Sequence, residues 1–479
     1  MTKGNNILAV DVGLSFCKAL LFNENGNVIT SASCHTPVLT PASGLSEINM
    51  TDLWNAVSGI IKQTVGNNSV AAVGVTGHGN GIYCLDSTGT PVGNAITSMD
   101  RRAESEIDFL SNQQKDLLTS RSTQSLWSGQ PGMILRWLKR HDSSEYSRID
   151  KVMLCKDYLS FMLTGVYATD WSDMSASGLL NNISGKYDPE MLDAMGISEF
   201  NDKLPMAIRA FDIRGGVSKT AVVKTGIQAG TPVIGGMFDV DACVYGAGVI
   251  EPGTLCSIAG TWNINTAVIK KPCFEPKIRQ CIRRGDGLKS MLVDSSATSA
   301  INIEWLLKTF FKNAVDYKGF TAELEVHKWE NDSPYWLPFI NGSLDTIAKK
   351  GALIGLDISH DSKDMMAAVA EGICFAHRFH IENLTQAGAK FEKIRLTGGA
   401  ATYSFCQLFS DICGLTVETV YEKQSGAVGI QAAARVALGQ YSEMTSEASV
   451  EKEFKPNHIK LALFNKRYKQ FKELIKCHL

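Results

Sequence analysis

No apolar stretch of the chain approaches the roughly 20 consecutive residues that a membrane-spanning helix needs. The opening MTKGNNILAVDVG holds too short an apolar segment for a secretory signal and runs straight into a core-strand pattern, so a cytoplasmic protein is expected. Neither sign of charge is in excess: 47 Lys and Arg stand against 49 Asp and Glu, a formal net charge of -2. That balance gives no basis for nucleic acid or a membrane surface as partner. The twelve cysteines form no CxxC pair and no Cys/His spacing of a zinc site. Cys155, Cys243, Cys374 and Cys406 sit inside apolar stretches, the pattern of reduced thiols that act as small hydrophobes in a reducing compartment.

What is present is an ordinary globular composition, 44% hydrophobic and 20% charged, over 479 residues. That length is large for one core and implies two domains. ILAVDVG, KALLFNENG and NVITSAS follow one another as apolar run, turn and apolar run, the pattern of a β-meander. Residues 51–66 place Leu53, Trp54, Val57, Ile60, Ile61 and Val65 at helical spacing, with Thr51 as predicted N-cap and Gly66 closing the helix. VAAVGVTG is a continuous apolar strand of the kind buried on both faces of an α/β sheet. The second half repeats the theme: Thr254 to Pro272 is strand, small-residue turn, strand, and Lys393 to Gly414 is strand, Gly-Gly turn, helix. This suggests a duplicated domain with its boundary near residue 249, where GAGVIEPG intervenes. The charged tail from about 445 is predicted as one or two helices packed outside.

Three loops have the chemistry to meet phosphate. DVGLSFCK puts Asp11 at a strand end, Gly13 two residues on, and Ser15 and Lys18 beyond; glycine lets backbone N–H groups approach phosphate oxygens. It lacks the GxxxxGK spacing of a Walker loop. AGTWN offers Gly260 backbone and the Thr261 hydroxyl, and LTGGAATYS places Gly398 and Gly399 between a strand and a helix start. On the other side, His78 and Asn80 follow one strand end, and Asp100, Arg101 and Arg102 follow another. Donors and acceptors converging from separate strand ends suit a small polyhydroxylated substrate. Trp127 is a candidate sugar-stacking ring or a core aromatic. Between the halves, TPVIGGMFDVDAC carries two aspartates one residue apart at a helix start. Residues two apart on a helix point to nearly opposite sides, so Asp239 and Asp241 cannot both face one substrate.

In this arrangement the chain resembles the FGGY carbohydrate kinases over most of its length. The family's first phosphate motif, Asp-x-Gly-Thr-Ser/Thr-x-x-Lys/Arg, corresponds to Asp11, Gly13, Leu14, Ser15 and Lys18, with Leu14 replacing threonine. The sugar loop Gly-Gln-Met-His-Gly corresponds to Gly77, His78, Gly79, Asn80 and Gly81, which leaves Asn80 in the place of the sugar-contacting histidine. Trp-x-Asp-x-Arg becomes Ser98, Met99, Asp100, Arg101 and Arg102, without the tryptophan. The Pro-x-x-Lys-Leu-x-Trp-Leu pattern survives as Pro131, Leu135, Trp137 and Leu138, with Ile134 in place of lysine. Gly351, Leu353, Gly355, Leu356 and then Glu371 match a Gly-x-Leu-x-Gly-Leu pattern followed by a helix ending in Glu. Thr397, Gly398, Gly399 and Ala400 match the adenosine loop, and Gly-x-x-Asp-x-x-Ala falls on Gly236, Asp239 and Ala242. The sugar-facing segments are more similar to those of L-xylulose kinases than to those of D-xylulose or glycerol kinases.

The resemblance implies an α/β protein of two actin-like (ribonuclease H-like) domains, 1–248 on the sugar side and 249–479 on the ATP side with a helical tail, around an interdomain catalytic cleft. It implies phosphoryl transfer from ATP, with Mg2+, to a sugar hydroxyl. Asp239 is then the catalytic base, held ionised by the helix dipole, and Asp241 a structural first-turn acid. Asp11 lies at the metal; Gly13, Ser15, Lys18, Gly260 and Thr261 at phosphate; Gly398, Gly399, Ala400 and Tyr403 at adenosine; and His78, Gly79, Asn80, Asp100 and Arg101 at the sugar. D-xylulose, erythritol or another polyol are alternative substrates, and a homodimer is the expected assembly. Two rivals come from other classes: an actin-like chaperone ATPase, and an inactive sugar sensor suggested by Leu14 and Ile134.

Overall fold

The computed structural model describes residues 5–312, 314–342, 344, 350–421, 424–444 and 448–477. The predicted meander is present as β1 (Ile7–Val12), β2 (Phe16–Phe22) and β3 (Val28–His35), antiparallel in sequence. Helix α1 (Met50–Val65) follows, and the apolar run becomes β4 (Ala72–Gly77), buried at every position and parallel to β1. Asn49, rather than Thr51, caps α1: its side chain accepts from the Asp52 N–H, which draws Met50 and Thr51 into the first turn, while Gly66 closes the helix as predicted. β5 (Ile213–Gly216) and β6 (Pro232–Ile234) extend the sheet beyond β4, giving the order β5-β6-β4-β1-β2-β3, with the short β7 (Met237–Phe238) also pairing β4.

A second sheet repeats these pairings. β8 (Gly253–Ala259), β9 (Asn263–Ile269) and β11 (Ser290–Ser296) form an antiparallel meander, with β10 (Gln280–Arg283) added at the edge. β12 (Phe391–Thr397) lies parallel to β8 as β4 does to β1, then comes β13 (Thr416–Val420), parallel again, and β14 (Val450–Phe454), antiparallel. Apart from the extra edge strand β10 of the second sheet, antiparallel, antiparallel, parallel, parallel, antiparallel is the sequence of pairings along both sheets. The duplication is therefore structural, and the fold is the two-domain actin-like α/β arrangement.

The tail departs from its prediction. Residues 445–447 lie outside those described; beyond them the chain adds β14 and one long helix, His458–Cys477. A charged strand at a sheet edge is tolerated because its side chains face water, so charge alone did not separate strand from helix. The final helix is not external either. Phe464, Tyr468 and Phe471 enter the second core, and the buried Arg467 donates to both oxygens of Glu371 at 2.6 Å each. Glu371 does not end a helix: it lies within the 25-residue helix Ser362–Gln386 and is held there by Arg467.

One face of the first sheet packs on α1, through Leu53, Trp54, Val57 and Ile61. The other face packs on α2 (Asp239–Gly246) and α3 (Ser425–Ala437), through Ala242, Tyr245, Ala427, Ile430 and Ala433. α3 follows β13 in the chain yet lies against the first sheet, so the two halves share this layer. The helices cross at backbone contact: a Cβ on Gly246 would collide with the Ser425 carbonyl, and one on Gly429 with the Ala242 carbonyl.

Candidate active site

The three predicted phosphate loops, the His78 loop and the Gly235 turn follow the carboxyl ends of strands with a parallel neighbour, where α/β sheets gather their ligands. Asp100, Arg101 and Arg102 instead follow the short strand Ala95–Ile96, which is paired antiparallel. Asp11 is the penultimate residue of β1, His78 follows β4, Gly235 follows β6, Gly260 follows β8 and Gly398 follows β12. In the first loop the Gly13 N–H donates to the Phe16 carbonyl at 3.0 Å, and Thr36 Oγ1 donates to the Gly13 carbonyl at 2.7 Å. Asp11 stands opposite Lys18 in the β1/β2 register, and Lys18 Nζ donates to Gln424 Oε1 at 3.1 Å. Ser15 is exposed beside them.

The second and third loops lie together. Gly398, at φ +104°, rests on the end of β8, where a Cβ would come within 2.6 Å of the Ala259 carbonyl; the Ala400 N–H donates to that carbonyl at 3.0 Å. The Gly260 carbonyl accepts from the Ala300 N–H at 2.9 Å, and Thr261 is exposed. The Cβ positions of Gly260 and Gly399 meet open space or contacts near the van der Waals limit, so their backbones are approachable by a ligand. Under the second loop runs a buried polar network that sequence reasoning missed. Asn265 donates to Asn263 Oδ1 at 2.7 Å, and Asn265 Oδ1 accepts from Ser257 at 2.8 Å and lies 3.0 Å from His377 Nδ1. Its only signal was the alternation of polar residues along an otherwise apolar strand.

α3 joins the loops across the halves, another feature the sequence reading did not single out. Its first residue, Ser425, meets Thr397 Oγ1 at 2.9 Å, and a Cβ on Gly426 would stand 3.0 Å from Asp11 Oδ2. Asp239 is the first residue of α2, not its cap; Phe238 occupies the cap position, and among the described residues Asp239 Oδ1 accepts only the Val240 N–H, at 2.7 Å. Burial, and secondarily the negative charge of Asp11, raise the Asp239 carboxyl to about 7. The helix dipole therefore does not hold this group firmly ionised: desolvation and a like charge outweigh it. Asp11 is raised too, by burial, against the opposing pull of Lys18. Asp241 faces away, accepting from Arg284 Nε at 2.8 Å and the Gly285 N–H at 2.7 Å, and so ties α2 to the second domain.

On the side expected to hold the sugar, the Phe238 ring lies against Gly79, where a Cβ would collide with it. His78 is buried, its Nε2 3.0 Å from the Tyr83 hydroxyl, and burial lowers it to about 4, which keeps it neutral. Among the described residues, His78 Nδ1, Asn80 Oδ1 and Trp127 Nε1 are buried without a hydrogen-bond partner. Asn80 takes φ +59°, an uncommon backbone for a residue with a side chain. Three predicted residues are not in these groups. Both oxygens of Asp100 are occupied, by the Ser46 N–H at 2.7 Å and by Arg102 at 2.8 and 2.9 Å. Arg101 is turned to the surface against Glu104, and the Tyr403 hydroxyl donates outward to Glu451 at 2.8 Å.

Residues 6–246 match the N-terminal domain, and residues 255–438 the C-terminal domain, of the FGGY family of carbohydrate kinases. The chain belongs to the FGGY carbohydrate kinases. It is thus an enzyme that transfers a phosphoryl group to a sugar hydroxyl, which sets aside the chaperone reading. This FGGY kinase is 30% identical over 485 residues to the L-xylulose/3-keto-L-gulonate kinase of Escherichia coli (strain K12), covering 98% of the chain and 96% of that protein. It is 25% identical to the xylulose kinase of Bacillus subtilis (strain 168) over 91% of the chain and 89% of that protein. Its fold superposes on the gluconate kinase of Lactobacillus acidophilus with a TM-score of 0.91 at 24% identity, covering 99% and 98% of the two chains.

Proposed function

We propose that this kinase transfers the γ-phosphoryl group of ATP to a hydroxyl of a small neutral ketose, L-xylulose, in the cytoplasm. The observation that carries the reading is that Asp239, at the start of α2, is raised by burial and by the negative charge of Asp11, in the strand that precedes the first predicted phosphate loop. In this reading residues 1–248 hold the sugar and residues 249–479 the nucleotide.

Phosphoryl transfer passes through a loose transition state, so the protein's task is positioning and charge neutralisation. Asp239 accepts the proton of the attacking hydroxyl. Its affinity for a proton near neutral pH suits a general base. His78, Asn80 and Trp127 supply the polar atoms that orient the sugar, and Gly79 keeps the loop close against Phe238. Gly13, Ser15, Gly260 and Thr261 bind phosphate oxygens, while Gly398, Gly399 and Ala400 line adenosine. Asp11 is suited to Mg2+: its carboxylate accepts no hydrogen bond among the described residues, and no cluster of three or more acidic, His or Cys side chains there could enclose a metal alone. Magnesium keeps several waters and is commonly held by one or two carboxylates together with substrate phosphates. When bound, it neutralises phosphate charge.

The similarity to the L-xylulose/3-keto-L-gulonate kinase of Escherichia coli supports a ketose substrate, and the local charges favour a neutral one. Arg102 is paired with Asp100 and Glu47, Lys156 with three aspartates, and Arg101 with Glu104. The test is kcat/KM for ADP release across L-xylulose, D-xylulose, L-ribulose, erythritol, glycerol and gluconate. L-xylulose is expected to lead; a higher value for any other sugar or polyol refutes the assignment, and binding without turnover would identify a sensor.

A further inference from the structure

Behind the Gly235-Gly236 turn lies a fully buried ionic cluster that the proposed mechanism leaves unused. Lys156 Nζ stands 2.6 Å from Asp157, 3.0 Å from Asp170 and 3.4 Å from Asp173, and Arg214 lies 3.5 Å from Asp157. All five side chains are wholly excluded from solvent. Removing so many charges from water is costly, so the cluster is not explained by stability alone.

Its contacts lead toward Asp239. Asp170 caps the helix Trp171–Ala176, and its Oδ2 accepts from Ser172 Oγ at 2.6 Å. Ser172 Oγ in turn accepts the Phe238 N–H at 2.9 Å, the backbone group just before Asp239. The Lys156 side chain fills the space beside Gly236, which has φ +71° and where a Cβ would stand 3.2 Å from Lys156 Cδ. Thr76 Oγ1 holds the neighbouring Met237 carbonyl at 2.7 Å. The turn that presents Asp239 is thus fixed at three successive residues, and the same Phe238 backs the sugar loop through Gly79.

We infer that Ser172, oriented by Asp170 and Lys156, is a positioning residue for phosphoryl transfer: its Oγ fixes the Phe238 N–H and thereby the direction of the Asp239 carboxylate. The inference rests on Asp239 being the base. A hydroxyl at this point sets the geometry of attack without touching either substrate, so its loss acts on the chemical step rather than on binding. A misplacement on the scale of an ångström costs about 100-fold in rate.

The experiment compares Ser172→Ala, Ser172→Thr and Asp239→Asn with the wild-type enzyme in kcat, in KM for sugar and for ATP, and in thermal unfolding. Ser172→Ala is expected to lower kcat about 10- to 100-fold with both KM values nearly unchanged; Ser172→Thr, which keeps the hydroxyl, restores most of the rate. If Ser172→Ala does not accumulate folded, Ser172→Cys, with a weaker acceptor, is expected to give a reduced kcat at unchanged KM. Wild-type kcat in the Ala or Cys variant, or a loss in which both KM values rise with it, overturns the inference. Turnover retained by Asp239→Asn would overturn the base assignment instead, so the two failures are distinct.

Discussion

At the residue scale the account turns on one carboxyl group whose surroundings oppose its ionisation. Asp239 is raised to about 7 by burial first and by Asp11 second. A base must be unprotonated, so kcat/KM is expected to fall as pH drops through about 7, which a pH–rate profile at saturating ATP checks. The same shift has a stability consequence. The folded state binds the Asp239 proton more tightly than the unfolded chain does, so stability is present at low pH and is lost as pH rises from the ordinary carboxylate range toward 7. Asp239→Asn removes that penalty and is expected to raise Tm by a few degrees at pH 8, with little gain at pH 4; an unchanged or lower Tm at pH 8 contradicts the electrostatic picture. Which aspartate does what was partly legible. Helical spacing separated Asp239 from Asp241, and the family pattern chose between them. What spacing could not supply was the partner of each: Arg284 for Asp241, and for Asp239 the like charge of Asp11 from the far end of the domain. Arg101 and Arg102 illustrate the same limit. Adjacent residues of one type face opposite ways here, one to Glu104 at the surface and one to Asp100 and Glu47 inside.

At the element scale, strands followed by glycine turns were legible because continuous apolar runs broken by Gly leave few alternatives. The N-terminal meander, β4, the β8/β9 hairpin and the strand–turn–helix around Gly398 all lie where the sequence put them. The layer shared between halves was not legible, since nothing local in SGAVGIQAAARVA says which sheet it will cover. The crossing of α2 and α3 depends on Gly246 and Gly429, where backbone meets backbone and no side chain can yield. Gly429→Val is therefore expected to cost at least the 1–3 kcal/mol typical of overpacking, read as a lowered midpoint in urea. Wild-type stability would show that the helices can separate without loss. Because α3 also carries Gly426 to within reach of Asp11, the surviving folded enzyme is expected to lose kcat as well.

At the scale of the whole molecule, two sheets that share a succession of pairings are bridged at carboxyl strand ends by chain 425–437. This segment meets Thr397 at the end of β12, reaches Asp11 near the end of β1 and covers the first sheet. In the proposed mechanism the site is assembled from both halves, and closure around both substrates would exclude water that would otherwise take the phosphoryl group. The central claim is that Asp239 drives sugar-dependent phosphoryl transfer at this site. Coupled ADP release with L-xylulose, ATP and Mg2+ tests it most directly, comparing wild type with Asp239→Asn and with sugar omitted. The account predicts release that requires the sugar and falls by roughly 10²- to 10⁴-fold in the variant, with sugar binding retained. Near wild-type release from Asp239→Asn, or wild-type release that proceeds equally without sugar, would contradict it.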